Sequence, residues 1–108
     1  MNSEFDELIS VIEEQINPSP LEITLLKGAK INTKIQDTPC VYPPLIQEKH
    51  EPGEVVLVGY ICGNEREYIH ISAEKIQRHD QIRKAEQIKI YKDAIYSLIP
   101  LAPERTGL

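Results

Sequence analysis

The chain has no tryptophan and a single phenylalanine among its 108 residues. A core without large aromatics must be filled by isoleucine, leucine and valine, and the branched ones favour sheet packing. Cysteine is also scarce, with only Cys40 and Cys62 present. Neither stands in a C-x-x-C or C-x-x-H setting, which excludes a local zinc knuckle or redox pair. Two small buried thiols in a reducing compartment are expected instead. Met1 to Ile16 lacks both the basic flank and the unbroken apolar run of an export signal or a membrane span. A cytoplasmic protein without membrane contact is therefore expected. The five glycines are scattered, so there is no Walker A loop, no G-x-G-x-x-G and no G-x-S-x-G. The three histidines, His50, His70 and His79, form no H-x-x-x-H pair. No metal and no cofactor are expected, and binding is favoured over catalysis.

What is present fits one small domain, placed at 1–100 with a C-terminal tail at 101–108. The net charge of −5 is unevenly spread. Met1 to Ile16 carries Glu4, Asp6, Glu7, Glu13 and Glu14 and no lysine or arginine. The bases Lys75, Arg78, Arg83, Lys84, Lys89 and Lys92 gather near the other end, interleaved with acids. With Lys27, Lys30 and Lys34 they could form a basic strip, but phosphate binding wants a clustered surplus. A pI near 5.2 disfavours nucleic acid as a partner.

Phe5, Leu8, Ile9, Ile12 and Ile16 recur at helical spacing, one apolar stripe that leaves Val11 outside. Asn17-Pro18-Ser19-Pro20 ends this helix. Leu21 to Leu26 reads as a strand, Lys27-Gly28 as a turn, and Ala29 to Ile35 as the returning strand. Gln36 to Pro44 reads as a proline-rich loop in which Val41-Tyr42 adds a short edge pairing. Leu45 to Lys49 is a weak strand, and Glu51-Pro52-Gly53-Glu54 fits a type II turn. The densest β-branched and aromatic run, Glu54 to Ile71, is a hairpin with Gly63-Asn64 at its turn. That register sets Cys62 opposite Glu65, Tyr60 opposite Glu67, Val58 opposite Ile69 and Val56 opposite Ile71. Gly59 inside this strand marks a bulge or a close backbone approach. Ala73 to Leu98 has neither proline nor glycine, and carries the pairs Glu74/Arg78 and Asp80/Lys84. A long helix is expected there, although Ile88 and Ile90 also alternate as in a strand.

The fold class expected is α+β. It has an N-terminal helix, a four- to five-stranded antiparallel meander that can curl strongly, and a long C-terminal helix packed on the sheet. The helix shows more apolar directions than one buried face needs. Ile82, Ile90, Tyr91, Ile95 and Ile99 are therefore the candidate association face, for a protein partner or a homodimer. Tyr60, Glu65, Arg66, Glu67, Tyr68, His70 and Arg78 are the candidates for a second contact or a ligand. The function expected is a small protein-interaction module, an accessory, inhibitor or immunity-type protein of bacterial or phage origin. The alternative is a small-ligand or nucleotide-binding protein with its pocket between sheet and C-terminal helix. Nucleic-acid binding ranks third.

Overall fold

The computed structural model describes residues 3–15, 19–45, 51–72 and 87–101. One helix, α1 (Ser3–Glu13), precedes seven strands among these residues. They are β1 (Leu21–Leu26), β2 (Lys30–Ile35), β3 (Thr38–Tyr42), β4 (Pro52–Asn64), β5 (Tyr68–Ser72), β6 (Gln87–Tyr91) and β7 (Ile95–Pro100). They form one sheet in the order β2-β3-β6-β5-β4-β1-β7. Every pairing is antiparallel except β3 with β6, which is parallel. No helix among the described residues is long and apolar enough to cross a membrane.

The helix forms as its stripe predicts. Ile9 and Ile12 are buried in the core, Phe5 and Leu8 pack beside them, and Val11 is exposed. Ile16 lies outside the described residues. Lys92 Nζ donates to Asp6 Oδ1 at 2.8 Å, tying the helix to the far end of the chain. β1 is the most completely buried strand, flanked by β4 and β7, with Leu21, Ile23 and Leu25 fully buried. Each such side chain contributes about 1.5–3 kcal/mol of transfer free energy.

Residues 87–100 correct the expected C-terminal helix. They are two strands joined by a 3-10 turn at Lys92–Ala94. The physical reason lies in Ile88, Ile90, Ile95 and Ile99. These β-branched residues lose rotamer freedom in a helix and gain packing in a sheet. Ile90 and Ile95 take their places in the core, which no single helical stripe offered them. Residues 73–86, the first half of the expected helix, lie outside the described residues. Among the described residues the fold is therefore strand-dominated with one short α-helix, and the sheet is mixed, not an antiparallel meander.

Three turns also differ. Lys27-Gly28 does turn the chain, with Gly28 at φ 90°, but β2 runs to the opposite edge of the sheet and does not pair with β1. Gln36 and Asp37, at φ 51° and 66°, make a two-residue hairpin turn that sets Ile35 opposite Thr38. The expected loop thus holds β3. Pro52 and Gly53 begin β4 instead of forming a type II turn, with Pro52 opposite Leu26. Leu45 is exposed outside any strand, and the rest of the weak strand expected at Leu45 to Lys49 lies outside the described residues.

β4 holds the sheet together. Its first part pairs with β1, Gly59 opposite Leu21, and its last part pairs with β5, Tyr60 opposite Ser72. The changeover falls at Gly59. A Cβ there would lie 2.5 Å from Ile71 Cγ2 and 2.8 Å from the Ser72 carbonyl oxygen. The close approach read from the sequence is real, and no larger residue fits without moving β5. Gly59→Ala should destabilise the fold by about 1–3 kcal/mol in urea unfolding. Val58→Thr, on the exposed side of the same strand, should stay within about 0.5 kcal/mol. Equal midpoints for the two variants would contradict the close approach.

Candidate functional site

The hairpin of β4 and β5 turns at Arg66-Glu67, not at Gly63-Asn64. The Glu65 amide donates to the Tyr68 carbonyl at 2.8 Å, and Asn64 pairs with Ile69. A register irregularity between Ile61 and Gly63 places Gly63 opposite His70. The shifted register has a side-chain cause. Glu65 Oε1 accepts from the Tyr68 hydroxyl at 3.2 Å, and Glu65 Oε2 meets His70 Nε2 at 2.5 Å. An ionised carboxylate only accepts, so the Nε2 proton belongs to the imidazole. Gly63 leaves room for that ring, since a Cβ there would lie 2.9 Å from His70 Cδ2.

Paired residues of neighbouring strands share a face. His70 pairs with Lys89, and Lys89 with Cys40 of β3. One step along, Tyr68 pairs with Tyr91. The Tyr91 ring meets Tyr68 edge-on at 5.8 Å and stacks on Tyr42 at 5.4 Å between centroids. Tyr68 also meets the His70 ring edge-on at 5.4 Å. One face of the sheet therefore gathers Tyr42, Tyr68, Tyr91, His70, Lys89 and Glu65. Lys89 is 4% exposed, and its Nζ lies 4.8 Å from the centre of the Tyr68 ring.

The electrostatics follow from these contacts. The hydrogen bond from His70 holds the Glu65 carboxyl below its ordinary value. The His70 charge, the Tyr68 hydroxyl and Lys89 act in the same direction, against partial desolvation. Burial raises the Tyr91 phenol, with Tyr42, Cys40, Glu67 and Tyr68 adding to the effect. Burial pushes the Cys62 thiol up to about 11, which leaves it protonated and a poor nucleophile at neutral pH. Cys40 is fully buried, and its thiol donates to the Thr38 carbonyl at 3.3 Å. Among the described residues no group of three or more histidine, cysteine or carboxylate side chains is placed to hold a metal ion.

Of the residues expected to make a second contact, Glu65, Tyr68 and His70 come together. Tyr60 lies on the same face opposite Ser72, while Arg66 and Glu67 are exposed at the turn. Arg78 lies outside the described residues. The expected association face is dispersed. Ile90 and Ile95 are in the core, Tyr91 belongs to the tyrosine face, Ile99 is exposed on β7, and Ile82 lies outside the described residues. Lys89 was expected only within a basic strip, and Tyr42 only in an edge pairing or a loop contact, so neither was placed on this face. The alternation of Gln87, Lys89 and Tyr91 carries the signal for Lys89, and the helical reading of the segment hid it. No family model matches the chain, and neither does any curated protein or solved structure.

A pH titration checks the Glu65–His70 contact. The folded value of Glu65 is depressed from 4.5. The stability it contributes is therefore present above that value and is lost as pH falls through the folded one. In His70→Gln the Glu65 carboxyl should titrate closer to 4.5 by carbon NMR. The melting-temperature gap between wild type and Glu65→Gln should close in acid. An unmoved Glu65 titration would show that the contact is not made in solution.

Proposed function

We propose that the protein is a non-catalytic interaction module that adds its β7 edge to a strand of another chain, in the simplest case a second copy of itself. The observation that carries this reading is the character of that edge. β7 is the last strand on its side of the sheet, and Ile95 to Pro100 contains no charged residue. An open, uncharged edge is a template for strand pairing. The opposite edge, β2, carries exposed Lys30 and Lys34, a common guard against such pairing.

The neighbouring surface supports the same reading. Tyr96 and Ile99 are 45% and 48% exposed on β7, and Val56 and Val58 are 50% and 57% exposed on β4. Glu22 of β1 pairs with both Val58 and Ile99, so these residues flank one outward face. Val58 and Ile99 thus stand on either side of the half-buried Glu22, and exposed apolar side chains grouped in this way favour a contact site. A two-fold arrangement would set β7 against β7, and an uncharged strand meets its own copy without like-charge repulsion. An accessory or inhibitor role is compatible with this mode of binding, as is the chain's small size.

Light scattering at successive dilutions tests the reading. Wild type should show the mass of a dimer that dissociates on dilution, and Ile99→Lys should be monomeric at every concentration with an unchanged circular dichroism spectrum. A wild type that stays monomeric at high concentration, with a mass equal to that of Ile99→Lys, would contradict self-pairing through β7.

A further inference from the structure

We propose that the strand received by the β7 edge is β7 of a second copy, antiparallel, with the two-fold axis at Leu98 and Ser97 of each copy opposite Ile99 of the other. This inference rests on the reading of β7 as a pairing edge, and it fixes the partner and the register.

The backbone of β7 carries the inference. The Leu101 amide donates to the Pro20 carbonyl at 2.9 Å, on the side of β1. In an antiparallel strand the N–H and C=O of one residue point to one side, and those of the next residue to the other. Ser97, Ile99 and Leu101 therefore face β1, while Leu98 and Pro100 turn their backbone groups to the free edge. Pro100 has no N–H to give. Towards the other end, Leu25 pairs with Ile95 but Thr24 with Ser97, so Tyr96 is the extra residue of a bulge. Leu98 is thus the one residue of the regular edge that offers both a donor and an acceptor.

This pattern is self-complementary. When Leu98 meets Leu98, each N–H donates to the other's C=O, and both groups are satisfied across one two-fold axis. An axis at Ile99 would set Leu98 opposite Pro100 and leave the Leu98 carbonyl facing a nitrogen without hydrogen. An axis at Ser97 would set Ile99, which is exposed, opposite Ile95, which is buried in the core. The Leu98 axis keeps the faces matched, since Ser97 and Ile99 pair with Thr24 and Glu22 on the outward side of β1. A longer foreign strand gains nothing beyond this window, because Pro100 limits it on one side and the bulge on the other. Nor do the acids oppose it. The two β1 strands would lie three strand spacings apart, about 14 Å, and salt screens Glu22 from Glu22 beyond about 8 Å.

Disulfide trapping tests the register on the full chain. The background is Cys62→Ser, which leaves only the fully buried Cys40. Ser97→Cys and Ile99→Cys are each prepared in it and treated with diamide, alone and mixed. Directly opposed residues of this kind have Cα atoms about 4.5 Å apart, within bonding range of a disulfide. Covalent dimer should form in the mixture, in which random exchange makes about half of the dimers mixed, and in neither variant alone. Trapping of Ile99→Cys alone, or of Ser97→Cys alone, would overturn the Leu98 axis and leave the β7 reading standing. No covalent dimer in any sample, with wild type dimeric by light scattering, would overturn the register and take the contact away from β7. A monomeric wild type would defeat the β7 reading itself, and the register with it.

Discussion

At Gly59 the backbone of β4 passes so close to β5 that a Cβ would lie 2.5 Å from Ile71 Cγ2. The rest of the sheet depends on this approach. Pro52 to Gly59 belongs to β1, and Tyr60 to Asn64 belongs to β5. At this changeover Ile71 and the Ser72 carbonyl oxygen occupy the volume that a Cβ would take, so glycine is required. Irregularities in register follow at Ile61/Gly63 on β4 and at Thr24/Leu26 on β1. Such irregularities increase local twist and help a sheet to curve. One core then serves both parts, from Leu21, Ile23 and Leu98 on one side to Ile69, Ile71 and Ile90 on the other.

The same changeover separates two kinds of surface. Before Gly59 the outward residues of β4 are Val56 and Val58, beside Glu22, Thr24 and Ile99. After it the face carries Tyr60, Gly63 and, across the strands, His70, Lys89 and the tyrosines. The first surface sets exposed apolar side chains around Glu22 and Thr24 and lies beside β7, the last strand on its side of the sheet. The second is aromatic and holds charges that are partly withdrawn from water and paired with one another through Glu65. The Glu65 bonds to Tyr68 and His70 close the hairpin and orient the imidazole at once.

Parts of this arrangement were legible in the residues. The spacing of Phe5, Leu8, Ile9 and Ile12 gave the helix and its buried side, and Val11 fell outside as its position requires. Leu21 to Leu26 matched β1 residue for residue, and Gly59 stood out as a glycine in a strand of branched residues. What failed was mostly non-local. The spacings among Ile88, Tyr91, Ile95 and Leu98 suit a helix, while Ile88 and Ile90 suit a strand, and only the core built by other strands decides between them. Gln36-Asp37 lacks the glycine that usually announces such a turn, though Asp tolerates positive φ. Parallel pairing of β3 with β6 depends on everything between them. Gly63-Asn64 was a strong local turn signal. It lost to the Glu65 carboxylate, whose partners lie three and five residues further along.

The central claim is that β4 makes one cooperative unit of the strands on either side of Gly59. Amide hydrogen exchange measured residue by residue addresses it most directly. The account predicts that the slowest amides of β1, β4 and β5 share a single opening free energy, equal to that of global unfolding. Two distinct values, one for β1 with the start of β4 and another for β5 with its end, would contradict it.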